Sequence, residues 1–196
     1  MACSMQDTFT SQQRQLIGDA PEAGIMRVLK TGDPADSLLL RQLSEPLTAE
    51  DLKSGTYAVL KARMLATVND PKDSGVGIAA PQVGILKQLI AVERFDRPER
   101  VFEFYANPRI DYYSEEAAYG NEGCLSIPDR SETIGRSRTI TISYLDEATG
   151  QRVSETVEGF TAVIFQHEID HLGGILYIDR LEERTGPDEL PDSGDS

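Results

Sequence analysis

This chain is short of cations, of long apolar runs, of cysteine and of histidine, and each shortage excludes something. Lysine and arginine number 19 against 33 aspartates and glutamates, a formal net charge of −14. A surface so poor in cations suits no nucleic-acid backbone, because such binding depends on Lys and Arg displacing counterions. The surplus of acid favours solubility and says nothing about fold. No apolar run approaches the roughly 20 residues of a membrane span, so no membrane partner is expected. The N-terminus, MACSMQDTFTSQQ, has neither the basic start and apolar core of a secretory signal nor the Arg-rich bias of an organelle transit peptide. The expected compartment is therefore the cytoplasm. Only Cys3 and Cys124 carry thiols, and a reducing cytoplasm argues against pairing them. That leaves Cys124 free for other chemistry. At 196 residues the length suits one domain that buries about 70% of its unfolded surface.

Both histidines of the chain fall in one stretch, Phe160–Gly174, FTAVIFQHEIDHLGG. Ala162, Val163, Ile164 and Phe165 leave no polar face, so the segment reads as a helix buried nearly all round. His167, Glu168, Asp170 and His171 then enter that apolar run, and burying them without partners would cost several kcal/mol. His167 and His171, four apart, share one helical face. By that spacing one helix offers two ligands to one metal ion, with Glu168 beside them as general base. Gly173-Gly174 supplies a left-handed stop.

Elsewhere the pattern is plainer. Residues 1–24 are polar and weakly patterned, and are expected to be loosely ordered. Ile25–Leu29 reads as a short strand or an extended segment, and Asp33-Pro34 starts a short helical turn reaching Leu38–Leu43. Thr48-Ala49-Glu50-Asp51 resembles a capping box with Asp where Glu or Gln is usual. From there to Val68, apolar residues at helical spacing predict one amphipathic helix, ended by Asn69-Asp70-Pro71. Strands are expected at Gln88–Glu93, Phe102–Tyr105, Arg138–Tyr144 and Gln151–Val157, the last two joined by a turn at Asp146–Gly150. Residues 182–196 read as an acidic tail.

Two further stretches carry chemistry. Gly75–Gly84, GVGIAAPQVG, lacks the Gly-Lys-Ser/Thr of a phosphate loop and any dinucleotide fingerprint, so its glycines say only that backbone comes close to something. Asn121–Pro128, NEGCLSIP, holds Cys124 between tight glycine and proline punctuation. Two imidazoles need a third protein ligand to make a catalytic site with an open position. A third histidine six residues after the second is absent, since that position is Tyr177. Asp179, Glu182 and Glu183 are candidates, as in a zinc endopeptidase. Cys124 is the better one, because a metal would hold it as thiolate.

Together Gly75–Gln82, Glu122–Ser126 and His167–His171 resemble, in order, the three motifs of the peptide deformylases, over residues 25–181. The resemblance implies an α+β fold, with mixed or antiparallel strands packed around a buried metal-bearing helix. It implies a hydrolase that removes the N-formyl group from N-formylmethionyl nascent peptides and releases formate. Cys124, His167 and His171 would bind the metal, usually Fe(II), with Ni, Co or Zn tolerated. Glu168 would be general base and acid, while the Gln82 amide and the Leu125 N–H would hold the developing oxyanion. Gly75, Val76, Gly77, Gly123, Val163 and Ile164 would face the substrate, whose backbone would add as a strand to Gly75–Gly77.

The chain also departs from the family. Ser131 stands where many relatives carry Arg, with Arg130 one step early. The acidic tail argues against ribosome docking by a basic C-terminal helix. Relatives carry an Arg near position 136, and the buried carboxylate of Asp170 needs a cation, so an Arg136–Asp170 pair is expected.

Overall fold

A computed structural model describes residues 7–18 and 24–184. Its centre is a five-stranded antiparallel sheet in the order β1-β2-β3-β6-β7. The strands are β1 Gly77–Ala79, β2 Leu89–Glu93, β3 Phe102–Tyr113, β6 Thr139–Leu145 and β7 Arg152–Glu158. A separate two-stranded ribbon pairs β4 Ala117–Cys124 with β5 Ile127–Ser137.

The apolar run of β2 alternates between two cores. Leu89 and Ala91 face one cluster with Ile78, Leu60, Met64 and Val68, whereas Ile90 and Val92 face another with Ile140, Ile142, Val157, Ile164 and Phe165. A strand buried on both faces shows no polar alternation. Helix α4 Gly55–Val68 covers the first face, and α5 Gly159–Leu172 the second. The architecture is thus mixed α and β with antiparallel sheets.

The expected helix over 48–68 is interrupted. A short α3, Ala49–Leu52, ends at Lys53, and Ser54 caps α4 afresh by accepting from Tyr57 N–H at 3.1 Å. Ser54 wins because its hydroxyl satisfies an N-terminal donor that helix interior would not expose. Asp51 does complete the capping box with Thr48, and its fully buried carboxylate also accepts from Thr8 N–H and Oγ1. The turn at Asp33-Pro34 is α2, Pro34–Leu40, and stops short of Leu43.

The loose order expected of residues 1–24 does not hold for 7–18. Helix α1, Ser11–Ile17, carries a Thr10–Gln13 capping box, and Phe9 and Ile17 are buried in the first core. Residues 1–6 and 19–23 lie outside the described part, as do 185–196 of the tail; 179–184 form a last helix, α6, Asp179–Arg184. Between Ile25 and Leu29 no strand forms, and the Leu29 N–H bonds the carbonyl of Gln82.

Strand β3 runs past the expected Tyr105 through Asn107-Pro108. Asn107 takes a positive φ of 49°, and the register with β6 shifts between Ala106 and Arg109. Pro108 is tolerated because the ladder is already broken there. The β4–β5 ribbon was not expected at all. Most of its side chains are exposed or half-buried on both faces, so its sequence has no apolar alternation to read. A third cluster, Ile127, Ile134, Leu176 and Tyr177, fastens the ribbon to the chain following α5.

Candidate metal centre and active site

Three elements meet at one point. Helix α5 brings His167 and His171 on one face, their rings 5.0 Å apart, and the end of β4 brings Cys124. Cys124 Sγ lies 3.3 Å from His171 Nε2. One ligand atom from each of the three residues lies within 4.8 Å of the others, and Cys124 is not in a disulfide. That is the span of atoms gathered around one ion, for which bonds of about 2.0–2.3 Å are usual.

The donor chemistry fits a divalent cation. Burial pushes the Cys124 thiol up, but the charge of His171 and hydrogen bonds from both histidines hold it well below the usual thiol range. Burial pulls His167 down, yet its bonds to Cys124 and Glu122 raise it to about 10. A thiolate beside a protonated imidazole is what a metal replaces, the ion taking the proton's place. Asp179, the described alternative for third ligand, is used elsewhere: it accepts from Leu176 N–H at 2.8 Å and pairs with Arg41. The endopeptidase-like ligand set is therefore not assembled through Asp179.

Behind the ligands stands a charged network. His167 Nδ1 bonds Glu122 Oε2 at 2.9 Å, which turns Nε2 toward the metal position. Glu122 is gripped by Arg136 through Nε at 2.7 Å and Nη2 at 2.9 Å. Arg136 also reaches Asp170 through Nη1 at 2.6 Å, the pair expected from the sequence. Burial pushes Glu122 up, but Arg136 and His167 win and hold it at about 2. Glu122 had no assigned role in the sequence reading. The signal was its place two residues before Cys124, an acid on a strand that turns out to be buried there.

A cavity of about 440 Å³ opens beside the centre, within the usual range for small-molecule clefts. Gly75, Val76, Gly77, Gln82, Gly123, Cys124, Leu125, Val163, Ile164, His167 and Glu168 all line it; His171, 1% exposed, lies behind. Phe160 and Arg130 also reach its wall, neither named as a site residue beforehand. Gln82 is placed by its own backbone. A 3-10 turn, Ala80–Val83, folds its Oε1 back onto Ala79 N–H at 2.8 Å, leaving Nε2 3.5 Å from Cys124 Sγ and 3.3 Å from Ser126 Oγ. Leu125 sits in the turn after Cys124, its carbonyl held by Lys30 Nζ at 2.5 Å.

Glu168 is 4% exposed, and its Oε2 is buried with no hydrogen-bond partner. Burial is the largest influence on it and raises it to about 7, against the opposing charges of His167 and His171. Gly77 explains how it fits: a Cβ there would stand 2.5 Å from Glu168 Oε1. What comes close to this glycine in the folded chain is therefore the Glu168 carboxylate. Gly77 lies on β1, which among the described residues is an edge strand paired only with β2.

Comparison with known proteins agrees with this geometry. Residues 25–186 match the sequence model of the family described as polypeptide deformylase. The peptide deformylase of Leptospira biflexa is 34% identical over 165 residues, covering 81% of this chain and 88% of that protein. That of a Caulobacter species is 37% identical over 158 residues, covering 80% and 88%. Among solved structures, the Met-Ala-Ser-bound class I type b peptide deformylase of Acinetobacter baumannii superposes with a TM-score of 0.70 at 37% identity, covering 80% of this chain and 98% of that one. The Thermotoga maritima peptide deformylase gives 0.68 at 35%, covering 80% and 97%. A family match over residues 25–186, which hold the cleft and all three ligands, together with relatives of this identity and coverage, carries one conclusion: the chain belongs to the polypeptide deformylase family.

Proposed function

We propose that this protein is a metal-dependent hydrolase that removes the N-formyl group from N-formylmethionyl peptides of newly made proteins and releases formate. The observation that carries the reading is Glu168: a buried carboxylate held at about 7, at the edge of a substrate-sized cleft beside three metal-ligating atoms. A pKa near the working pH suits a group that must take a proton and then return it.

Cys124, His167 and His171 would hold the ion, with α5 as the metal-bearing helix. When bound, the ion supplies Lewis acidity to the formyl carbonyl and lowers the pKa of water. Glu168 takes a proton from the attacking water as its oxygen bonds the formyl carbon. It then gives that proton to the amide nitrogen as the C–N bond breaks, leaving formate and a free amine. The Gln82 Nε2–H and the Leu125 N–H face the carbonyl oxygen, where negative charge develops only in the transition state. Losing one such donor typically costs about 10²–10³ in rate. Val76, Val163 and Ile164 form an apolar wall suited to a methionine side chain, whose flexible thioether fills irregular space. The peptide backbone would add along the free edge of β1, with Gly75 and Gly123 on either side. Fe(II) is the proposed native metal, with Ni(II), Co(II) or Zn(II) as substitutes, and the cytoplasm the proposed site of action.

Formate release from formyl-Met-Ala-Ser by anaerobically purified protein tests the reading. Glu168→Gln should keep its metal while kcat falls by about 10² or more. Metal-loaded protein that releases no formate from this peptide would refute the assignment.

A further inference from the structure

The mechanism uses one side of α5 and leaves Asp170, on the other, as a mere partner for Arg136. Asp170 has a second cation. Arg180, on α6, donates Nη2 to Asp170 Oδ1 at 2.5 Å and Nε to Oδ2 at 3.1 Å. Oδ2 is also the atom that Arg136 Nη1 reaches at 2.6 Å. From there Arg136 grips Glu122, and Glu122 accepts from the metal-facing histidine, His167. A continuous file of charge-assisted bonds thus runs from Arg180 through Asp170, Arg136 and Glu122 to His167. Its charges alternate, plus, minus, plus, minus, and it ends on a ring that must be neutral to bind a metal.

The outer end is the vulnerable one. A cavity of about 530 Å³, lined among others by Tyr113, Tyr119, Arg136, Asp170 and Arg180, opens beside the Arg136–Asp170 pair. Without Arg180, water entering there would compete for a carboxylate that Arg136 holds by a single bond. The second guanidinium fills both oxygens of Asp170 from the cavity side and fixes its plane. Arg180 is itself held in place. Its N–H bonds the Tyr177 carbonyl at 3.1 Å, and its neighbour Asp179 ties α6 to Arg41 at the end of α2. Gly174 lets the chain turn back here: its φ is 71°, and a Cβ would come within 2.4 Å of the Arg41 carbonyl oxygen.

We infer that Arg180 is a positioning residue for the metal centre. It pins Asp170, Asp170 and Glu122 together pin Arg136, and the file holds His167 in the orientation that presents Nε2 to the ion. The inference rests on the metal-binding part of the proposed function and not on the identity of the substrate.

The test is the rate at which a chelator removes Ni(II) from the loaded full-length protein, read beside the melting temperature of each variant. Groups that touch a ligand directly change metal affinity by about 10–100-fold. Arg180→Leu, three bonds further out, should release Ni(II) about 3–10-fold faster, below that range. Arg180→Lys, which keeps the charge, should recover most of the loss. In an Asp170→Asn background, Arg180→Leu should add almost nothing, since the file is already cut. If Arg180→Leu does not fold, Arg180→Gln takes its place in every comparison. A wild-type release rate in the neutral variant overturns the inference, and so does equal acceleration with and without Asp170. A lowered melting temperature with unchanged release assigns Arg180 a structural role only and also overturns it. Failure of the formate assay, with Ni(II) release behaving as described, would instead count against the substrate.

Discussion

Gly77→Ala is the sharpest test of how the cleft is built, because one methyl group meets one atom. The added Cβ would lie 2.5 Å from Glu168 Oε1 and 2.9 Å from Cδ, whereas ordinary contact begins at 3.4 Å, so the carboxylate must retreat by about 0.9 Å. Gly77 has no left-handed φ, so alanine costs its backbone nothing special. The three nearest atoms that a Cβ at 77 would meet all belong to Glu168. The whole effect should therefore fall on the geometry of proton transfer. A misplacement of about 1 Å costs on the order of 10² in rate, equivalent to about 2.7 kcal/mol in the barrier. The assay is kcat for formate release from saturating formyl-Met-Ala-Ser with Ni(II)-loaded protein, metal content measured alongside. Glu168→Gln supplies the floor. The double variant should be no slower than Glu168→Gln alone, because both changes disable one group. A Gly77→Ala enzyme that keeps its metal and turns over within about threefold of wild type would refute the placement of Glu168.

Other outcomes follow from the charged network and the thiolate. Arg136→Leu removes the guanidinium that two buried carboxylates share, leaving Glu122 to His167 and Asp170 to Arg180, and should cost about 3–5 kcal/mol in chemical denaturation; unchanged stability would contradict the pairing. The Glu122 carboxyl is lowered to about 2 from 4.5, so its contribution is present above about pH 4.5 and is lost as pH falls through 2. After metal removal, Glu122→Gln should flatten the acid limb of the stability–pH curve by about 3 kcal/mol, and an unaltered limb would tell against the bond to Arg136. The iron-loaded enzyme should lose activity in air as released Cys124 climbs to sulfinic acid, which mass spectrometry can map, while Ni(II) enzyme persists and Cys3→Ser changes nothing. Equal air stability of the two forms would sink that account.

Residues in one helix or one short motif were legible from order alone. His167, Glu168 and His171 share a face because 3.6 residues complete a turn, whatever surrounds them. The capping residues Thr48 and Asp33, the turn at Asp146–Gly150 and the alternation in β6 are equally local, and the structure carries each. The pairing of Asp170 with Arg136 followed from the cost of a bare buried carboxylate, helped by likeness to relatives. What sequence could not decide was which distant groups share a space. The ribbon β4–β5 has no pattern of its own, because both faces are largely wet, yet it delivers Cys124 and Glu122 to the centre. Phe9 and Ile17 sit in a polar stretch and become core only because α4 and β2 provide the apolar partners. Gly77 reads as permission for something to approach, and only the tertiary structure names Glu168 as what approaches it. Helical period and buried charge act within a few residues, so the sequence determined the chemistry on offer. Close packing acts between residues far apart in the chain, and it alone decided which groups meet to use that chemistry.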